Sequence, residues 1–207
     1  MLPKELSNGI CSLNPQEDRL AFSCLCELDK QGNITEYKFA KTVIRSRVKG
    51  VYSEINSLLA GSDDAELKEK YAEVSGQLPI INELADILYK NKKNRGCPEL
   101  ETSESKLIIN DEDICVGVER RTRGRSEEII EDFMLVANEC AARFGMDNNL
   151  PFVYRIHEEP SDEKLESLRE ALVKLNVQYK LGEKACPGDM SEILKAAKGT
   201  DIDLIMN

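Results

Sequence analysis

Tryptophan is absent from this sequence, histidine occurs once, and aromatic residues make up only 5% of the 207 positions. A single histidine is too few for most zinc sites and leaves no partner set for a nucleophile–base constellation. The sequence also has no GxSxG turn and no glycine-rich phosphate loop, the motifs of the α/β-hydrolases and of the P-loop enzymes. No familiar catalytic motif therefore identifies the chemistry of this protein.

Long apolar runs and paired cysteines are missing as well. The longest apolar runs are far too short to span a membrane, and no signal-peptide pattern opens the chain. The seven cysteines are odd in number, widely scattered and without a CxxC pair. This pattern favours free thiols in a reducing cytosol over disulfides or a metal site. We therefore expect a cytoplasmic protein without a membrane attachment.

Hydrophobic residues make up 41% of the chain and charged residues 32%, which is typical of a soluble globular protein. The net charge of −10 argues against general affinity for nucleic acid. The positive charge is nevertheless clustered at three places: Lys41, Arg45, Arg47 and Lys49; Lys92, Lys93 and Arg95; Arg120, Arg121, Arg123 and Arg125. Each cluster is either an ordinary solvated surface or part of a localised phosphate track.

The pattern along the chain predicts an α+β fold, with short and mostly antiparallel strands and helices packed around them. Strands are expected at residues 20–27, 34–41, 106–110, 114–119 and 152–157, and the second is expected to run on through Val48. If it does, Lys41, Arg45, Arg47 and Lys49 project from one face of that strand. Helices are expected at residues 52–60, 67–88, 161–175 and from 189 to 199, and the second of these carries a heptad-like seam with a kink at Pro79.

The longest predicted helix, residues 126–144, organises the rest of the chain. Its expected apolar face consists of Ile130, Phe133, Met134, Ala137, Ala141 and Phe144. A second stripe, which includes Glu131 and Asn138, places a carboxylate and an amide two turns apart on one side. These two groups face either the solvent or a polar groove in which they bind a ligand by hydrogen bonds.

Four segments carry a resemblance to a known family. MLPKELSNGICSLNPQEDRLA, IRSRVKGVYSEIN, IIEDFMLVANECAARF and YRIHEEPSDEKLESL occur in one order and cover nearly the whole chain. Together they resemble the middle of the catalytic RNB domain of the ribonuclease II/ribonuclease R family, and YRIHEEPS is most similar to the ribonuclease R branch. The resemblance implies that residues 1–207 are a single incomplete domain of a processive 3′→5′ hydrolytic exoribonuclease. Such enzymes lead the 3′ end of single-stranded RNA to Mg²⁺ and release nucleoside 5′-monophosphates.

The resemblance also implies which residues hold RNA. Tyr52 matches a tyrosine near the ribose of the RNA end, and Glu131 matches a glutamate that contacts a ribose hydroxyl. Leu100 stands where the family often has a phenylalanine that stacks on terminal bases, so stacking at this position is weakened here. Asn138 is expected to orient neighbours in the same channel, whereas Arg155 and His157 are assigned either to structure, which is favoured, or to the channel lining.

No catalytic or metal-binding residue is expected in this chain. The family's aspartate cluster lies upstream of the MLP segment and its arginine-bearing motif lies downstream of residues 201–207, so Asp201 and Asp203 are interpreted as helix caps. The whole enzyme would bind Mg²⁺ and single-stranded RNA without an obligate protein partner, and the 207-residue chain alone would be inactive. The alternative is a non-catalytic RNA-binding or scaffolding protein derived from such a domain. A third hypothesis is a helical interaction protein that dimerises through residues 67–88.

Overall fold

The computed structural model describes residues 2–98, 104–121 and 123–200. It forms two compact units, one of residues 1–89 and 123–152 and the other of residues 90–122 and 153–207. The strands are β1 (Asp18–Leu28), β2 (Ile34–Arg45), β3 (Glu104–Ile109) and β4 (Cys115–Arg121). The helices are α1 (Tyr52–Leu59), α2 (Ala65–Lys70), α3 (Leu78–Asn94), α4 (Arg125–Asp147), α5 (Asp162–Lys174) and α6 (Pro187–Ala197). The two sheets are antiparallel hairpins, so the α+β prediction is confirmed.

The β1–β2 hairpin turns at Asp29, as its sequence predicts. One carboxylate oxygen of Asp29 accepts from the backbone N–H groups of Gln31 and Asn33, at 2.8 Å each. Gly32 takes a positive φ of 81°, which a glycine adopts at no steric cost. These local bonds fix the register in which Cys24 lies opposite Phe39.

Helix α4 packs on this hairpin, but the face it buries differs from the predicted one. Ile129 and Cys140 are buried, whereas the predicted core residues Ile130 and Met134 are half-exposed. Phe144 meets Phe39 of β2 edge-to-face, with 5.4 Å between the ring centroids. The buried side also includes Ser126 and Asp132. Because a count of apolar residues ignores buried polar ones, it placed the face too far round the helix.

The predicted long helix over residues 67–88 is wrong. Helix α2 ends at Lys70, a single 3₁₀ turn follows at Ser75–Gln77, and α3 then begins at Leu78. Pro79 lies in the first turn of α3, where its missing N–H costs nothing, and so it starts a helix and does not kink one. Tyr71 is fully buried directly after α2.

The second unit has its own small core beneath α5 and α6, formed by Leu165, Leu172, Val177, Leu181 and Ile193. Ser161 caps α5 by accepting from the Lys164 N–H at 3.4 Å, and Asp189 caps α6 by accepting from the Cys186 N–H at 2.7 Å. The predicted start of α5 is thereby confirmed, whereas α6 begins at Pro187, ahead of the predicted start, and Asp189 lies within its first turn.

The strand predicted at residues 152–157 is wrong. Phe152 to His157 form no regular element, and the Val153 and Ile156 side chains are exposed. A strand needs a neighbour to pair its backbone groups, and within the described residues no strand pairs with this segment.

Candidate nucleic-acid interface

Tyr52 is the first residue of α1, and its side chain is 45% exposed. The helix begins here because Val51 has an extended backbone, with φ −118° and ψ 125°. The Ser126 hydroxyl lies 3.1 Å from the Tyr52 carbonyl oxygen and 3.1 Å from the Glu127 carboxylate, so these two acceptors share its single proton. The ring is therefore accessible, while the backbone that carries it is attached to the start of α4.

The attachment involves four residues, Asn56, Gly124, Ser126 and Glu127, which we call the α1–α4 junction. The Asn56 side-chain amide donates to the Glu127 carboxylate at 3.0 Å and accepts from the Ser126 N–H at 2.8 Å. Glu127 also accepts from the Gly124 N–H at 3.2 Å. A Cβ on Gly124 would lie 2.0 Å from the Asn56 amide nitrogen, so a side chain at position 124 would displace Asn56.

The charge of Glu127 is stabilised within this junction. Burial alone would raise the pKa of its carboxyl group, but hydrogen bonds from Asn56, Ser126 and backbone N–H groups outweigh burial and lower the pKa below its ordinary value. Glu127 therefore remains ionised and strengthens the hydrogen bonds that join the two helices.

A second set of contacts, which we call the Tyr71 anchor, fixes the chain just before Tyr52. The Val51 N–H donates to the Tyr71 hydroxyl at 3.1 Å, and that hydroxyl donates to the Glu54 carboxylate. Lys70 pairs with Glu54 at 2.6 Å. The hydrogen bond from Lys70, followed by that from Tyr71, lowers the pKa of Glu54. The pKa of the buried Tyr71 is raised, first by burial and then by Glu54, so its hydroxyl keeps its proton.

Glu131 follows Ser126 by five positions on α4, about 7.5 Å along the helix axis. Its side chain is 34% exposed and pairs with Arg123 at 2.6 Å. Asn138 is exposed two turns further along, about 10 Å from Glu131, so the two side chains do not form one compact pair. The first unit therefore carries both Tyr52 and Glu131, whereas Leu100 lies outside the described residues.

Some arginines of the basic clusters form ion pairs and hydrogen bonds with other residues of the chain. Arg45 of β2 pairs with Asp18 of the neighbouring strand β1 at 2.7 Å. Arg125 donates to the Asn82 side chain at 2.7 Å and pairs with Asp86, which joins α4 to α3. Strand β2 ends at Arg45, so Arg47 and Lys49 do not continue a strand face. Because Arg45 and Arg125 are engaged in these contacts, the two arginines do not belong to a continuous row of cations available to phosphates.

The described residues include no group of three or more His, Cys, Asp or Glu side chains placed to hold a metal ion. Asp201 and Asp203 lie outside the described residues. The described residues therefore offer no ligand set for Mg²⁺, and no catalytic step is assigned to them. None of the helices built from described residues is long and apolar enough to cross a bilayer.

The four residues of the α1–α4 junction could not be identified from the sequence. Asn56 and Ser126 are 70 positions apart, and each alone is an ordinary polar residue in or near a helix. One local pattern pointed to the junction: Gly124 is followed three residues later by Glu127. This spacing is typical of a helix start at which the side chain of the later residue accepts from the backbone N–H of the earlier one.

Comparisons with known proteins agree on one family. The family model described as "RNB domain" matches residues 1–206. The chain is 41% identical to Ribonuclease R 1 of Lactococcus lactis over 80% of this chain and 20% of the relative. It is 37% identical to Ribonuclease R of Escherichia coli over 95% of this chain and 24% of the relative. The chain thus spans about a quarter of the length of such relatives.

Solved structures show the same likeness. The apo form of Mycoplasma genitalium RNase R matches with a TM-score of 0.88 and 27% identity, over 99% of this chain and 32% of that protein. The same enzyme in complex with ribose-methylated single-stranded RNA matches equally well.

Proposed function

Because this chain belongs to the RNB-domain family, we propose that it is part of a processive 3′→5′ exoribonuclease of the ribonuclease R type. The whole protein would hydrolyse single-stranded RNA from its 3′ end in the cytoplasm and release nucleoside 5′-monophosphates. Mg²⁺ would polarise the phosphate and supply hydroxide, held by residues outside this chain. The role of this chain would be to hold the RNA, and alone it would not cleave it.

The observation that carries the proposal is the arrangement of Tyr52 and Glu131 around one rigid junction. Tyr52 offers an exposed ring with a hydroxyl, and Glu131 offers a carboxylate on the same unit. A 2′-hydroxyl both donates and accepts, so a carboxylate opposite it distinguishes RNA from DNA. Asn138 would extend the same track. Leu100 would offer RNA apolar contact without aromatic stacking.

Arg123 gives the Glu131 contact a further property. The Arg123 guanidinium contacts one carboxylate oxygen of Glu131, Oε2, at 2.6 Å and leaves the remaining lone pairs of the carboxylate available for a hydroxyl donor. A ribose hydroxyl can therefore bind Glu131 without breaking the ion pair.

The proposal is tested by fluorescence anisotropy with labelled oligoadenylate and its deoxy counterpart of the same length. We expect the 207-residue chain to bind the ribose polymer about tenfold to a hundredfold more tightly, since one hydrogen bond to a charged group is worth about 1.5–3 kcal/mol. Tyr52→Phe and Glu131→Gln should each reduce this preference. Glu139→Gln is the matched control, because Glu139 lies on the same helix, is also 34% exposed and also neighbours an arginine, at 3.9 Å.

A second assay separates catalysis from binding. The chain is incubated with 5′-labelled single-stranded RNA and Mg²⁺, and the products are resolved on a denaturing gel. We expect intact RNA. Shortening from the 3′ end that a chelator abolishes would contradict the assignment of the metal site to residues outside this chain. Equal affinity for the ribose and deoxyribose polymers would contradict the RNA-holding role.

A further inference from the structure

We propose that Asn56, Ser126 and Tyr71 are positioning residues for RNA selectivity, which act by fixing Tyr52 relative to Glu131. The inference rests on the proposed function, since it assumes that Tyr52 and Glu131 contact the same stretch of RNA. None of the three residues needs to touch RNA itself. Their effect would be on which sugar is preferred, and less on how tightly a nucleic acid binds.

The Tyr52 backbone is held on both sides of the residue. On one side, the N–H of the preceding residue, Val51, donates to the Tyr71 hydroxyl at 3.1 Å. On the other side, the carbonyl of Tyr52 lies 3.1 Å from the Ser126 hydroxyl. One bond comes from Tyr71, which directly follows α2, and the other from Ser126 of α4, so together they fix both the position and the direction of the first turn of α1.

The holding groups are buried, whereas the residue they hold is exposed. Tyr71 is 0% exposed and Ser126 is 5% exposed. Buried hydrogen bonds in a low-dielectric environment are costly to leave unmade, so the junction has one strongly preferred arrangement. The Tyr52 ring stays accessible above it.

Glu131 shares the frame of the junction because it belongs to the same helix as Ser126. Helix α4 runs without interruption from Arg125 to Asp147, so the offset between Ser126 and Glu131 is fixed by helical geometry. The separation of Tyr52 from Glu131 is then set by the bonds that Asn56 and Ser126 make between α1 and α4. Hydrogen bonds weaken steeply with poor alignment, so small errors in this separation should erase the preference for ribose.

The test compares two conservative variants with matched controls in the 207-residue chain. Ser126→Ala removes the hydroxyl beside the Tyr52 carbonyl, and Ser57→Ala removes a hydroxyl that donates to another α1 carbonyl, Ser53, at 3.0 Å. Tyr71→Phe removes the buried anchor, and Tyr37→Phe removes an exposed tyrosine hydroxyl that donates to Asp147 at 3.0 Å.

The readout is the ratio of the dissociation constants for the deoxy and ribo forms of oligoadenylate. We expect Ser126→Ala and Tyr71→Phe to lower this ratio about threefold to tenfold, the effect of one impaired hydrogen bond. Ser57→Ala and Tyr37→Phe should leave the ratio unchanged. A merely structural role would weaken both polymers equally, and an unchanged ratio in both test variants would overturn the inference.

A second measurement does not depend on RNA. Amide hydrogen exchange should show slow exchange at Val51 and Ser126, with acceleration at Val51 in Tyr71→Phe and at Ser126 in Asn56→Ala. Fast exchange at both amides in the unmodified chain would overturn the inference even if the preference for RNA is present. Slow exchange without any preference for RNA would reject the proposed function, and the selectivity role of these residues with it.

Discussion

Gly124→Ala is the substitution whose effect follows most directly from the α1–α4 junction. Gly124 has φ −104° and ψ 175°, an extended conformation open to any residue, so backbone strain is not the issue. The difficulty is space, because the new Cβ would meet the Asn56 amide nitrogen at 2.0 Å and its Cγ at 2.6 Å. Asn56 would have to rotate away from the junction.

The cost can be worked from the bonds that Asn56 makes. Its departure removes the hydrogen bond to the Glu127 carboxylate, worth about 1.5–3 kcal/mol, and the bond from the Ser126 N–H, worth about 1 kcal/mol. The lower entropy of alanine in the unfolded chain returns about 0.4–1 kcal/mol. We therefore expect the free energy of unfolding of the first unit to fall by about 1.5–3.5 kcal/mol.

The assay is urea unfolding followed by NMR resonances of α4, so that the first unit is observed separately from the second. Gly76→Ala is the control, because a Cβ at Gly76 meets nothing within 4 Å. The double variant Asn56→Ala/Gly124→Ala should be no less stable than Asn56→Ala alone, since the obstructing amide is gone. A cost within about 0.5 kcal/mol of zero for Gly124→Ala, or additive costs in the double variant, would refute the reasoning.

Three further predictions concern charge, acid and thiols. Arg125→Met should destabilise the first unit by about 1–3 kcal/mol in urea unfolding, because Asn82 and Asp86 lose their shared partner. The control is Arg143→Met, which removes a 3.9 Å ion pair with Glu139 and should cost at most about 0.5 kcal/mol. The folded-state pKa of Glu127 is lowered, so the stability that separates the unmodified chain from Glu127→Gln should be constant above about pH 5 and shrink as the pH falls below about 4.3; a difference that grows in acid would contradict this. Ellman's reagent should titrate the four exposed thiols rapidly and Cys140 only on unfolding, since burial, followed by hydrogen bonding with Cys24, raises the pKa of Cys140 to about 12.

Those parts of the fold that depend on neighbouring residues could be predicted from the sequence. The hairpin around Asp29 and Gly32, the cap of α5 at Ser161 and the start of α6 near Asp189 each rest on bonds within a few positions. Such short-range signals act before any tertiary contact and leave a readable pattern.

Features decided by distant partners could not be predicted in the same way. The break between α2 and α3 follows from the burial of Tyr71, whose hydroxyl binds Val51 twenty positions earlier. The orientation of α4 follows from buried polar residues, Ser126 and Asp132, which a hydrophobic pattern counts as exposed. The resemblance to a family pointed to Tyr52 and Glu131, whereas the junction near them depends on bonds between residues 70 positions apart, which leave no local pattern in the sequence.

The polar character of this junction has a physical purpose that an apolar contact would not serve. Apolar side chains attract without direction, so two helices packed through them can slide with little loss of energy. Hydrogen bonds between Asn56, Ser126 and Glu127 hold donors and acceptors at 2.8–3.1 Å and weaken steeply with misalignment. A site that distinguishes ribose from deoxyribose by a single hydroxyl group needs this directional control more than it needs a large binding area. The burial of polar groups at the start of α4 is therefore the feature that gives the proposed RNA site its geometry. The same burial is the reason that the hydrophobic pattern mispredicted the buried face of α4.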